Sequence, residues 1–170
     1  MTNTNFLGIP VEGDISGNDP RTPQRPLVEF EPLMRAVLDD PTIKAFGWRQ
    51  YTPYFNDGDP CEFGVHGAWF VTVDDDVDLD EVDDDEYGVD YGDHPSLGCR
   101  EYSYSGRYPD RVRIPGAYTG PDEARYDRVR ALSDAIVGGE FDDVLLEAFG
   151  DHAAVRVSRE SITVDTYEHD

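Results

Sequence analysis

Lysine has almost vanished from this chain: Lys44 is the single one among 170 residues, and every other basic residue is an arginine. The two cysteines, Cys61 and Cys99, are too few for a disulfide framework. No apolar run approaches the roughly 18 residues that cross a bilayer, so no membrane association is expected. The opening, MTNTNFLGIPVEGDIS, lacks the basic start and apolar stretch of a secretory signal. That points to the cytoplasm, or to a virion assembled there. The arginines form no stripe, which argues against direct binding of nucleic acid. Glycine-rich phosphate loops and a nucleophile elbow are lacking as well. No catalytic residue and no cofactor is therefore expected, and an enzyme is the less favoured class.

What abounds is acid. The chain has 37 acidic residues against 14 basic ones, a net charge of −23 and a pI near 4.2. Aspartate outnumbers glutamate by 25 to 12. At ordinary ionic strength this much like charge opposes a compact state. In molar salt the Debye length falls to about 3 Å and the repulsion is screened. An Asp-rich, Lys-poor composition therefore reads as adaptation to a cytoplasm filled with salt, in a halophilic archaeon or its virus. A nucleic-acid mimic that captures a host protein would show the same carboxylates, but mimicry does not require losing lysine. With 38% hydrophobic and 12% aromatic residues, the chain carries enough apolar material for one domain with a real core.

Residues 1–26, with four prolines and no period, read as an extended arm. Leu27, Phe30, Leu33, Met34, Val37 and Leu38 have helical spacing, and Pro32 suits a first turn, so the helix is expected over about 32–39. Two strands follow, 46–55 and 61–73. In the second, Cys61, Phe63, Val65, Trp69, Val71 and Val73 share one parity and should face the core. Asn56-Asp57-Gly58-Asp59-Pro60 between them has the chemistry of a tight turn, with Tyr51, Tyr54 and Phe55 packing beside it. Residues 74–93 hold 12 acids and no cation, and read as a solvated loop that the fold could lose. Short strands are expected at about 100–106 and 111–114, a helix from Gly120-Pro121 to Val137, and another through Phe141–Phe149 stopped by Gly150. A last hairpin joins 153–158 to 162–167, with Val155, Val157, Ile162 and Val164 facing inward. The order of elements implies an α+β domain, an antiparallel sheet with about three helices on one side.

Few residues carry chemistry. Asp57 and Asp59 form a carboxylate pair that could serve a metal or an acid–base step, the basis for an alternative as a small metal-dependent enzyme. Cys61 with His66, and His94 with Cys99, have zinc-ligand identities. Against this, Cys61 and His66 are five apart in an expected strand and point to opposite faces. The alternating Asp74, Asp76, Asp78 and Asp80 lack the glycine and bidentate glutamate of a calcium loop. Tyr102, Tyr104, Arg107 and Tyr108 are of the types favoured at protein–protein hot spots, so a protein partner is expected and an oligomer is possible.

The run Gln50 to Cys61, QYTPYFNDGDPC, resembles a signature of small proteins of no established activity encoded in bacterial and tailed-virus genomes. Phe149-Gly150-Asp151-His152 and the closing Tyr167-Glu168-His169-Asp170 look like the C-terminus of the same proteins. The resemblance implies a shared fold and a mobile-element setting. It transfers no catalytic residue, and the acidic insert at 74–93 departs from it. The functional expectation is a non-enzymatic accessory or structural protein.

The charge yields a direct expectation. The melting temperature should rise substantially between about 0.1 M and about 2 M KCl, because screening removes self-repulsion. A scanning-fluorescence titration checks it, and a flat or falling curve removes the halophile reading.

Overall fold

The computed structural model describes residues 5–10, 22–90 and 92–168. Strands β1 (Asn5–Phe6) and β2 (Ile9–Pro10) pair across a turn. The rest of the expected arm up to residue 21 lies outside the described residues. The arm's last residues are docked. The Arg25 backbone N–H donates to the Glu140 carbonyl at 2.7 Å, and the Gln24 amide donates to the Gly139 carbonyl at 2.8 Å. α1 (Leu27–Leu38) begins ahead of Pro32 rather than at it. The proline removes one helical N–H, but Val28, whose carbonyl loses that partner, lies on an exposed face where water can substitute.

β3 (Ile43–Tyr51) and β4 (Gly64–Thr72) follow, then the separate hairpin of β5 (Cys99–Ser105) and β6 (Val112–Thr119). α2 (Glu123–Val137) starts at Asp122, whose carboxylate accepts the Arg125 backbone N–H at 3.0 Å. Such a cap satisfies one of the helix's unpaired donors. α3 (Asp142–Phe149), β7 (Ala153–Val157) and β8 (Ile162–Thr166) complete the chain. β4, β3, β7 and β8 form one antiparallel sheet in that order, with the three helices against one face. The architecture is α+β, one body around one core. Phe46, Trp48, Phe70 and Val155 on the sheet meet Phe30, Leu132, Ile136, Phe141 and Leu145 on and beside the helices.

The single-parity reading of β4 is wrong, and a bulge is the reason. Arg49 pairs with His66 and Gly47 with Trp69, so Gly67 and Ala68 together oppose Trp48. Gly67 has φ 61°, a left-handed conformation that glycine adopts freely. Val65 therefore faces the helices, while beyond the bulge Phe70 takes that side and Trp69 turns to the opposite face. Cys61 and Phe63 precede the strand, and Val73 is exposed. Trp69 lies flat on its cross-strand partner Gly47, where an added Cβ would come within 2.6 Å of the indole.

The acidic insert is also not the solvated loop its charge suggested. Its described residues form no helix or strand, but they cover the sheet face that the helices leave bare. Asp84 pairs with Arg49, and Asp80 pairs with Arg156 at 2.8 Å. Leu79 and Val82 stand opposite Trp69 and Ala154. Tyr87 and Val89 are buried, and the Tyr87 carbonyl accepts the Phe70 backbone N–H at 2.9 Å, so the insert also covers the outer edge of β4. The apolar residues scattered among the acids do the packing.

Replacing residues 75–92 with a Gly-Ser linker should thus lower the unfolding free energy by about 3 kcal/mol or more, since it deletes buried Tyr87 and Val89 and unpairs Arg49. Urea unfolding in molar KCl measures this. A variant as stable as the parent would show that the insert only decorates the sheet.

Candidate functional site

The six residues considered as metal ligands are not brought together. Asp57, Asp59 and Cys61 lie in the exposed β3–β4 connection, and His66 sits on the sheet with its ring 4.8 Å from that of Tyr51. Among the described residues, no three His, Cys, Asp or Glu groups are placed to hold a metal ion. His94 is buried with both ring nitrogens in use. Nδ1 accepts the Ser96 and Leu97 backbone N–H groups at 3.1 Å, so Nε2 carries the proton and donates to the Phe70 carbonyl at 2.7 Å. Burial lowers its pKa and favours this neutral ring. It staples the end of the insert to β4. Cys99 roots the β5–β6 hairpin, and its hydrogen bond to Asp93 raises its pKa, with burial adding to the effect.

The 56–60 segment is a turn made by its backbone. The Asp59 N–H donates to the Asn56 carbonyl at 2.7 Å, and Asp57 and Gly58 take φ of 44° and 96° between them. The Asn56 side-chain amide donates to the Pro60 carbonyl at 3.1 Å. The two positive φ values are those of the turn that Asn-Asp-Gly sequences favour. The expected packing beside it is only partly present: Phe55 is 77% exposed, and Tyr54 reaches outward to stack on His152 at 4.9 Å.

That stacking belongs to a larger junction between the end of β3 and the α3–β7 connection. The Thr52 backbone N–H and hydroxyl each donate to Asp151 at 2.7 Å. The Gln50 amide, fully buried, donates to the Leu145 and Gly150 carbonyls, and its oxygen accepts the Trp48 indole N–H at 2.9 Å. Tyr51 contacts the Tyr167 ring at 5.4 Å, and Arg49 donates to the Tyr167 hydroxyl at 3.1 Å. His152 holds φ 55° while its carbonyl accepts the Tyr167 N–H at 2.7 Å. Chemically this is a lock. Asp151 directs its oxygens to Thr52 and to the His152 backbone N–H, and its distance to the His152 ring is 3.7 Å, outside hydrogen-bond range. It is not arranged to steer an imidazole base.

The β5–β6 hairpin presents a different surface. Its root is tied down. Arg100 holds Glu123 and Asp127, each at 2.8 Å, and the Tyr118 hydroxyl donates to the Leu97 carbonyl at 2.7 Å. Tyr102 is half-buried at the root, with Arg113 and Arg130 at 4.6 and 5.2 Å from its ring centroid. Burial pushes the phenol of Tyr126 beneath it up to about 12, with Tyr102 adding to the effect. Farther out everything is open. Tyr104 carries Arg111 over its ring at 4.0 Å, Arg107 is exposed, and Tyr108 is 92% exposed. On the opposite face, Val112 and Ile114 stand exposed across from Ser105 and Ser103. Sequence reasoning passed over these two, though their alternation with Arg113 was the available signal.

No family model matches the chain, and no curated protein or solved structure matches it either.

The lock has a pH signature. Burial opposes the charge on Asp151, but the Thr52 hydroxyl and amide and the His152 amide outweigh it and hold the pKa below the ordinary value. A depressed carboxyl contributes stability that is present above its unfolded pKa and lost as pH falls through the folded one. Asp151→Asn should thus be less stable than the parent at neutral pH, with the gap closing in acid below about pH 4. Urea unfolding at fixed KCl from neutral to acid pH checks this; a gap independent of pH would assign the effect to packing.

Proposed function

We propose that this chain is a non-catalytic accessory or structural protein that acts by protein–protein contact, with the β5–β6 hairpin as its contact element. One observation carries the reading: a firmly rooted two-stranded arm exposes Tyr104, Tyr108, Val112 and Ile114 instead of burying them. Exposed aromatic and β-branched residues on a stiff support offer contact area with little ordering cost. Tyrosine and arginine are the residues that dominate interface energetics. Between residues 100 and 114, four arginines face two acids, whereas the whole chain carries −23. Arg100 and Arg113 are paired with carboxylates of α2, so the outer arm carries Arg107 and Arg111 beside Glu101 and Asp110, a near-neutral surface on an acidic molecule that suits a partner protein with an apolar-centred patch. The charge and the lysine deficit favour a salt-filled host cytoplasm, and the motif resemblance favours a tailed virus or other mobile element as the setting.

The test compares the parent with Tyr108→Ala/Ile114→Ser as bait, in host or virion extract at molar KCl, with partners identified by mass spectrometry and affinity then measured on the purified pair. The variant should keep its circular dichroism and melting temperature, because both residues are exposed, and bind the partner at least about tenfold more weakly. A partner held equally by both proteins would place the contact elsewhere.

A further inference from the structure

The two edges of the main sheet are treated differently. The insert covers the β4 edge, where the Tyr87 carbonyl takes the Phe70 N–H. At the other end, β8 is open. Its hydrogen-bonding pattern follows from two fixed points: Ser158 N–H donates to the Ser161 carbonyl, and Tyr167 N–H donates to the His152 carbonyl. Antiparallel pairs alternate between bonded and unbonded, so Thr163 and Asp165 also bond to β7. Ile162, Val164 and Thr166 then direct their N–H and C=O groups away from β7. Among the described residues no backbone hydrogen bond reaches that edge. Natural sheets guard open edges with lysine, proline, bulges or inward charges, and β8 (ITVDT) has none of these. Its one charge, Asp165, is on the face away from the helices.

The side chains tell the same story. Ile162 and Val164 point to the helix side, as expected, yet remain 46% and 47% exposed. Ile162 forms one wall of an apolar groove of about 500 Å³ with Leu27, Met34 and Phe149. The charged residues around the groove are balanced, Arg35 and Arg159 against Glu31 and Glu160, on a molecule otherwise heavily negative.

We propose that β8 is a dimer seam: two copies of this chain join their β8 edges antiparallel about Val164, giving one continuous eight-stranded sheet. The strand suits a second copy of itself. With Val164 on the two-fold axis, it exchanges both backbone bonds with Val164 of the second copy. Ile162 does the same with Thr166 of the second copy, and Thr166 with Ile162. Asp165 falls opposite Thr163 of the second copy and not opposite another aspartate, which avoids a like-charge pair. Strands are about 4.8 Å apart, so the two β4 edges end roughly 34 Å from each other, while Asp80, the insert carboxylate that reaches β7, is offset there by Arg156. The neutral groove is the side on which a second acidic chain can approach.

The full chain is tested by sedimentation velocity in molar KCl over about a hundredfold range of concentration, with amide exchange read at both ends of the range. The parent should reach dimer mass at the upper end, and the Ile162, Val164 and Thr166 amides should gain protection as it does. Val164→Pro removes only an N–H that points away from β7, a position where an edge strand accepts proline. It and Val164→Lys should stay monomeric with unchanged circular dichroism. A parent that is monomeric throughout overturns the proposal, as does a dimer that survives both substitutions. Amides protected in the monomer would mean that another segment of the same chain covers the edge, and overturn it too. The exchange data on the parent decide the matter even if a variant misfolds. Hairpin substitutions should leave the dimer intact, so this proposal and the hairpin reading fail separately.

Discussion

Arg130 is the joint on which the layers of this protein depend. From α2 it donates to the Val89 carbonyl, lies 3.4 Å from Asp90, bonds Asp134 at 3.1 Å and stacks on Tyr102. One guanidinium thus connects the acidic insert, the longest helix and the root of the hairpin. Its side chain is only 11% exposed, so these bonds form where water competes poorly. Neither the insert nor the hairpin is part of the main sheet; the hairpin is tied to α2, and the insert is held by α2 together with Arg49, Arg156 and Phe70 of the sheet.

Those neighbours act alike. Arg125 reaches Thr42 at 2.9 Å and the Ser96 carbonyl at 3.0 Å, while Arg128 holds Asp40 at 3.0 Å. Arg159 donates to the Asp40 and Ile43 carbonyls at 2.9 and 3.0 Å. Arg125, like Arg130, serves acceptors on different segments, and Arg159, from the β7–β8 turn, gathers successive carbonyls of the α1–β3 connection. A planar fork with five donors does this, and an ammonium on a flexible stem does it poorly. Where one cation must join several segments, as Arg125 and Arg130 do, arginine serves better than lysine, a structural reason for the scarcity of lysine beside any effect of salt.

The α+β class, the helices at 123–137 and 142–149 and the register of the last hairpin were legible because local signals agreed there. Pro121-Asp122-Glu123 opens one helix, Gly150 closes the other, and Arg159-Glu160 sets the turn. Three features were not legible. The β4 bulge hides in a stretch whose alternation looks unbroken, and Gly67 was its only sign. The insert's packing was masked by its charge, since Leu79, Val82, Tyr87 and Val89 are too sparse to show a period. The junction of Thr52 with Asp151 spans 99 residues of sequence, and only the fold brings them into contact. As for candidate residues, Tyr104, Arg107 and Tyr108 do stand at the surface, whereas Tyr102 is half-buried at the hairpin root and His94 has an interior role visible only from its partners.

The bulge in β4 has a consequence for how the molecule fails. By turning Trp69 away from the helices, it gives the sheet a second greasy side, and the cover over that side is the segment with 12 of the acids. The lid and the most self-repelling stretch of the chain are the same residues. When counter-ions are diluted, repulsion within the lid acts before anything happens in the helical core, and lifting it bares a flat tryptophan-bearing surface. Damage at low ionic strength should therefore begin as stickiness between otherwise folded molecules, with turbidity ahead of any loss of helix.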